Sequence, residues 1–222
     1  MGIFESIVVV YLRKIYYPNG FQFPLAAISD QIIRIELLRE ACTLAMLIAV
    51  AWLAGKNRLE IFSFFLLSFA VWDIVYYAGL KFLLNWPSSL YTWDILFLIP
   101  VPWVGPVISP IITSLTMILL AYTFLIIQNH KSDFKLRLYE WLLIYLGAFL
   151  IFISFIWDYS EMMINNLPNM NYKLFTAKNS IYNTFSNYIP SYFHWNLFLI
   201  GIISICFSIF LIIRRNGKKI NL

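Results

Sequence analysis

Five stretches of about 20 mostly apolar residues govern what this chain can fold into, because that is the length an α-helix needs to cross a bilayer's hydrocarbon core. They run from Ile35 to Ala54, Ile61 to Leu84, Val107 to Ile127, Tyr139 to Trp157 and Trp195 to Ile213. A soluble domain of 222 residues has no interior large enough to hide them. Composition agrees: 61% of residues are hydrophobic and 12% charged, against about 25% charged in soluble domains. The expected fold is an all-α, polytopic transmembrane helix bundle of five or six spans, a single transmembrane domain over residues 1–222. The sixth candidate is residues 3–17, apolar but short, with Glu5, Arg13 and Lys14 inside it. It reads either as another span or as a helix lying in the interface. The first twenty residues have no basic stretch ahead of the apolar run and no small-residue cleavage site, so no cleaved signal peptide is expected.

The formal net charge of +5 invites a nucleic-acid reading, but the basic residues sit in short clusters beside the apolar runs. Membrane proteins build their cytoplasmic loops this way, and no nucleic-acid partner is expected. Lys56 and Arg58 follow the first span, Lys131, Lys135 and Arg137 the third, and Arg214, Arg215, Lys218 and Lys219 the fifth. If each span crosses once, all three groups share one side. By the positive-inside bias that side is the cytoplasm, with the C-terminus in it. Cys42 and Cys206 lie within apolar segments and read as small core residues, not as a disulfide.

Two connections then fall on the outer side. One runs from Asn85 to Pro110 and contains Pro100, Pro102, Pro106 and Pro110, too many prolines for a regular helix. Its apolar flanks, with Trp103 among the prolines, suggest a proline-broken or re-entrant segment sheltered by protein. The other is the loop from Asp158 to Tyr192, long for a connection and holding only Lys173 and Lys178 as basic residues. Trp86, Trp93, Trp157 and Trp195 suit an interfacial aromatic belt.

Polar residues inside the apolar runs are the candidates for function. Glu36, Arg39, Glu40 and Thr43 share one helical face by their spacings of three and four. Asp73 lies near the middle of its span, where a charge costs roughly 2.5–3.5 kcal/mol on insertion scales and needs a partner, a proton or water. Tyr77 and Lys81 share its face, and Arg39 or Lys81 is the expected counter-ion. Asp94, Asp158, Glu161 and His194 fall at the outer ends of segments. An outward-facing polar pocket is therefore expected, drawn from Glu36, Arg39, Glu40, Asp73, Tyr77, Lys81, Asp94, Trp103, Asp158 and His194.

The two histidines, His130 and His194, fall on opposite sides and cannot jointly clamp a haem or a zinc ion. No phosphate-cradling glycine loop, nucleophile elbow or paired-histidine zinc motif appears. No cofactor or metal is expected. The stretches Trp72-Asp73-Ile74-Val75-Tyr76-Tyr77, Asn85-Trp86-Pro87 and Thr92 to Pro110 resemble a family of uncharacterised bacterial polytopic membrane proteins. That resemblance implies a bacterial inner-membrane setting and carries no activity with it. Three functions follow from the pattern. The first is non-catalytic binding of a small ligand, a lipid or a partner subunit in the outer pocket. The second is a small proton-coupled transporter using Asp73 or Glu40. The third is a membrane-embedded enzyme with paired carboxylates acting on lipid or envelope substrates. The scarcity of polar residues in the inner halves favours the first.

Overall fold

A computed structural model of the chain describes residues 1–26, 28–131, 134–166 and 188–216. The stretch 167–187 of the long loop, with Lys173 and Lys178, and the tail residues Lys218 and Lys219 lie outside the described residues. In chain order the elements are α1 (Gly2–Tyr16), α2 (Asp30–Ala54), α3 (Arg58–Leu84), β1 (Trp93–Phe97), β2 (Trp103–Pro106), α4 (Ile108–His130), α5 (Leu138–Asn166) and α6 (Trp195–Asn216). Five helices, α2 to α6, are long and apolar enough to cross a membrane. Their outer faces carry side chains such as Leu53 and Phe82, 87% and 88% exposed, as expected of helices solvated by lipid. Cys42 and Cys206 are free thiols on these exposed faces and do not belong to the core.

Residues 3–17 fall short of the length of a sixth span. Helix α1 has 15 residues and rises about 22 Å, short of the roughly 30 Å hydrocarbon core. It lies along half of α3, with Gly2 against Trp72 and Val75 and Ser6 against Gly79. Its last turn projects past the end of α3, so that Arg13 meets Trp86.

Local sequence sets where α3 begins and ends. Asn57 caps its start, its side-chain oxygen accepting from the N–H groups of Leu59 and Glu60, each at 3.0 Å. Glu60 returns the favour to the Lys56 N–H at 2.8 Å, as in a capping box. At the far end Asn85 adopts φ 52°, a left-handed conformation that asparagine tolerates and that stops a helix. Lys81 then donates to the carbonyl oxygens of Asn85 and Pro87 at 3.4 and 3.1 Å.

Helices α5 and α6 approach each other backbone to backbone. A Cβ placed on Gly147 would lie 2.6 Å from the Gly201 carbonyl oxygen, and one on Gly201 2.7 Å from that of Gly147. Only glycine allows this backbone approach, the device by which helices associate in lipid. Around it, Phe124, Ile144, Ile151, Phe155, Phe198 and Ile212 form the main core. Polar bonds tie the loops at one end together. Gln128 donates to Asn57 at 3.0 Å, and Arg215 donates to the Lys135 carbonyl at 3.2 Å and to Glu140 at 2.9 Å. The described members of the three basic groups therefore gather at one end of the bundle, the basic end.

The proline-rich segment marks the opposite end. It is a two-stranded antiparallel hairpin, with Trp93 opposite Pro106, Asp94 opposite Gly105 and Ile95 opposite Val104, and with an irregularity before Phe97 pairs with Trp103. Pro100 and Pro102 sit in its turn, where their missing N–H groups cost no ladder bond, and Pro110 occupies the first turn of α4. The hairpin is re-entrant. Phe97 near its tip packs with Leu47 and Trp72, residues well within α2 and α3.

Candidate functional site

Helices α1 and α2 both pack on α3 but make little contact with each other. Between them, floored by the hairpin, lies a cavity of about 540 Å³. Ligand sites commonly span about 300–1,000 Å³. Its lining interleaves aliphatic side chains, Val9 and Leu12 of α1 and Ile32, Ile33 and Leu37 of α2, with ionisable and aromatic ones. The latter are Glu5 and Arg13 from α1, Glu36, Arg39 and Glu40 from α2, Trp72, Asp73 and Tyr76 from α3, and Asp94 from β1, with Arg34 also lining the cavity.

The charges fall into two clusters and two single carboxylates. Arg39 pairs with Glu5 across the gap between α1 and α2, and with Glu36 one turn away at 2.7 Å. Arg13 pairs with Asp94 at 3.0 Å, with the two side chains 8% and 2% exposed. Its guanidinium also lies 4.4 Å from the Phe21 ring centre and 3.7 Å from that of Trp86, a stacked arrangement worth about 0.5–2 kcal/mol. Asp94 accepts a further bond from the Tyr77 hydroxyl at 3.3 Å. Burial pushes the Asp94 carboxyl up to about 6, against the opposing pull of Arg13.

Glu40 stands ten residues into α2, about 15 Å from its start. Both its oxygens accept the Leu98 N–H of the hairpin, at 3.1 and 3.0 Å. This satisfies a backbone donor that the irregular hairpin would otherwise bury unpaired. Asp73 accepts from the Ser114 hydroxyl of α4 at 2.8 Å, and no cation of the described residues pairs with it.

Five of the residues singled out in the sequence, Glu36, Arg39, Glu40, Asp73 and Asp94, do line one cavity. The other five lie elsewhere. Lys81 reaches carbonyls at the end of α3, so it is not the counter-ion of Asp73, and Arg39 is committed to glutamates instead. Tyr77 and Lys81 border a second hollow of about 400 Å³ on another side of α3, beside Pro87 and Ile111. Trp103 is packed into the core, stacked 5.9 Å from Phe155. Asp158 anchors the far end of the long loop, accepting from the hydroxyls of Tyr188 and Ser191, each at 2.6 Å. His194 packs between Trp157 and Tyr192, with ring centres 5.0 and 5.1 Å away.

Sequence reasoning missed Glu5, Arg13, Arg34, Tyr76 and Ser114. Glu5 and Arg13 were visible as charges within an apolar segment, but their partners are distant in the chain, 34 and 81 positions on, and spacing cannot reveal them. Among the described residues no group of three His, Cys, Asp or Glu side chains is placed to hold a metal ion. No family model, curated protein or solved structure matches this chain.

Proposed function

We propose that this membrane protein is a non-catalytic receptor for a single amphiphilic molecule, which enters sideways from the bilayer between α1 and α2. The observation that carries this reading is the mixed lining of the cavity, which sets aliphatic Val9, Leu12, Ile32, Ile33 and Leu37 beside charged side chains of α1, α2, α3 and β1. An apolar ligand would leave the charged groups without partners, and a small polar one would leave the aliphatic groups wet. An amphiphile meets both. Leu44, Leu47, Phe69, Trp72 and Phe97 close the cavity toward the basic end, which favours retention over passage. The Lys and Arg bias supports a cytoplasmic basic end and C-terminus, in which case the cavity faces outward.

The test is native mass spectrometry of the protein released from neutral maltoside micelles. Wild type is expected to retain one bilayer amphiphile per chain. Ile33→Trp, which fills space at the aliphatic part of the lining, is expected to lose it while keeping its helical content. Equal retention by the variant, or none by wild type, rejects the reading.

A further inference from the structure

The lining also specifies the sign of the occupant's polar head. We infer that the head is an amine, held as a cation between Asp73 and Glu40 and against the ring faces of Trp72 and Tyr76, with its apolar chain lying between α1 and α2; this rests on the amphiphile reading above. The argument begins from charge pairing. Arg39 is committed to Glu5 and Glu36, and Arg13 to Asp94. Arg34 is exposed. That leaves two carboxylates on the cavity lining, Asp73 and Glu40, whose hydrogen bonds come from a hydroxyl and a backbone N–H, both neutral donors. Glu40 is only 6% exposed. A carboxylate taken out of water calls for a counter-charge, and the lining holds five carboxylates, Glu5, Glu36, Glu40, Asp73 and Asp94, against three arginines, Arg13, Arg34 and Arg39. An ammonium head offsets both groups, whereas an anionic head would add a third negative charge.

Two independent features point the same way. Trp72 and Tyr76 are stacked, with ring centres 6.4 Å apart and planes inclined by 18°, and both line the cavity. Aromatic faces attract ammonium groups, and Arg13 between Phe21 and Trp86 already uses that attraction in the same cavity. The indole N–H of Trp72 is also buried with no hydrogen-bond partner among the described residues. A head with an oxygen acceptor next to its nitrogen, as in an amino alcohol, would engage it as well.

The experiment measures thermal unfolding of the full chain in neutral maltoside, titrated with dodecylammonium, dodecanol, dodecanoate and ethylammonium. Dodecylammonium is expected to raise the unfolding midpoint at concentrations about tenfold lower than dodecanol or dodecanoate, a difference typical of one charge-assisted contact. Asp73→Asn and Glu40→Gln are each expected to remove that preference while dodecanol still binds, which also shows that the variants are folded. If ethylammonium works as well as dodecylammonium, the occupant is a free amine and the bilayer-derived ligand is rejected. If dodecanol or dodecanoate matches dodecylammonium, the amine head is rejected and the amphiphile receptor stands. If none of the four shifts the midpoint, both fall.

Discussion

Arg13 joins three parts of the molecule, reaching from α1 to the hairpin through Asp94 and to the segment after α3 through Trp86. Its contribution depends on pH in a direction fixed by Asp94. The folded carboxyl titrates near 6, above its ordinary value. Stability from that group is therefore complete below the ordinary carboxylate range and is lost as pH rises through the folded value. Removing Arg13 raises the folded value further. At about pH 5 Asp94 is protonated with or without Arg13, so Arg13→Ala should cost only the stacking, about 0.5–2 kcal/mol. At about pH 8 it should also strand a buried charge and cost about 3–5 kcal/mol. The double variant Arg13→Ala with Asp94→Asn should show no such pH dependence. Thermal unfolding in detergent at the two pH values checks all three. At this scale the sequence revealed which residues are costly but not which residues answer them. Asp73 stood out because a mid-span acid is rare, yet its partner is Ser114, a serine indistinguishable in the sequence from Ser6, Ser63, Ser68 and Ser154, which bond their own helices.

The hairpin and the α5–α6 pair show what limits inference at the scale of elements. The spans were legible because hydropathy over about 20 residues is a local property. The segment from Asn85 to Pro110 was legible as non-helical from its prolines, but the strand pairing of Trp93 to Phe97 with Trp103 to Pro106 depends on the shelter of α2, α3 and α5, which no window of sequence contains. Glu40 is part of that shelter. Glu40→Ala should leave the Leu98 N–H unpaired and cost about 1–3 kcal/mol, whereas Glu40→Gln keeps an acceptor and should cost less. Hydrogen exchange at Leu98 reads the difference directly, with faster exchange in the alanine variant. Gly201→Leu should force α5 and α6 apart and lower stability by about 1–3 kcal/mol or more, since overpacking a filled contact carries that penalty. The same change at Ile203, which is 64% exposed on the lipid face, should be close to neutral in the same unfolding assay.

At the scale of the whole molecule, topology was the most readable property. Five apolar runs and three basic clusters permit few arrangements, and the contacts from Gln128 to Asn57 and from Arg215 to Lys135 bring those clusters together as single crossings require. Single cysteines placed at Lys56, Lys131 and Ser88, in a background with Cys42 and Cys206 replaced by alanine, test sidedness. Positions 56 and 131 should react with an impermeant maleimide only after the cell is opened, and position 88 in intact cells. The segment 3–17 resisted assignment because its apolar composition argues for a span while its length and its internal charges argue against one, and the 15 residues of α1 packed on α3 are too few to cross. That packing has a mechanical result. Because α1 and α2 lean on a common neighbour and are joined by the Arg39–Glu5 ion pair, the gap between them is built like a latched door. Opening it requires that ion pair to break and leaves the glycine-locked half of the bundle undisturbed.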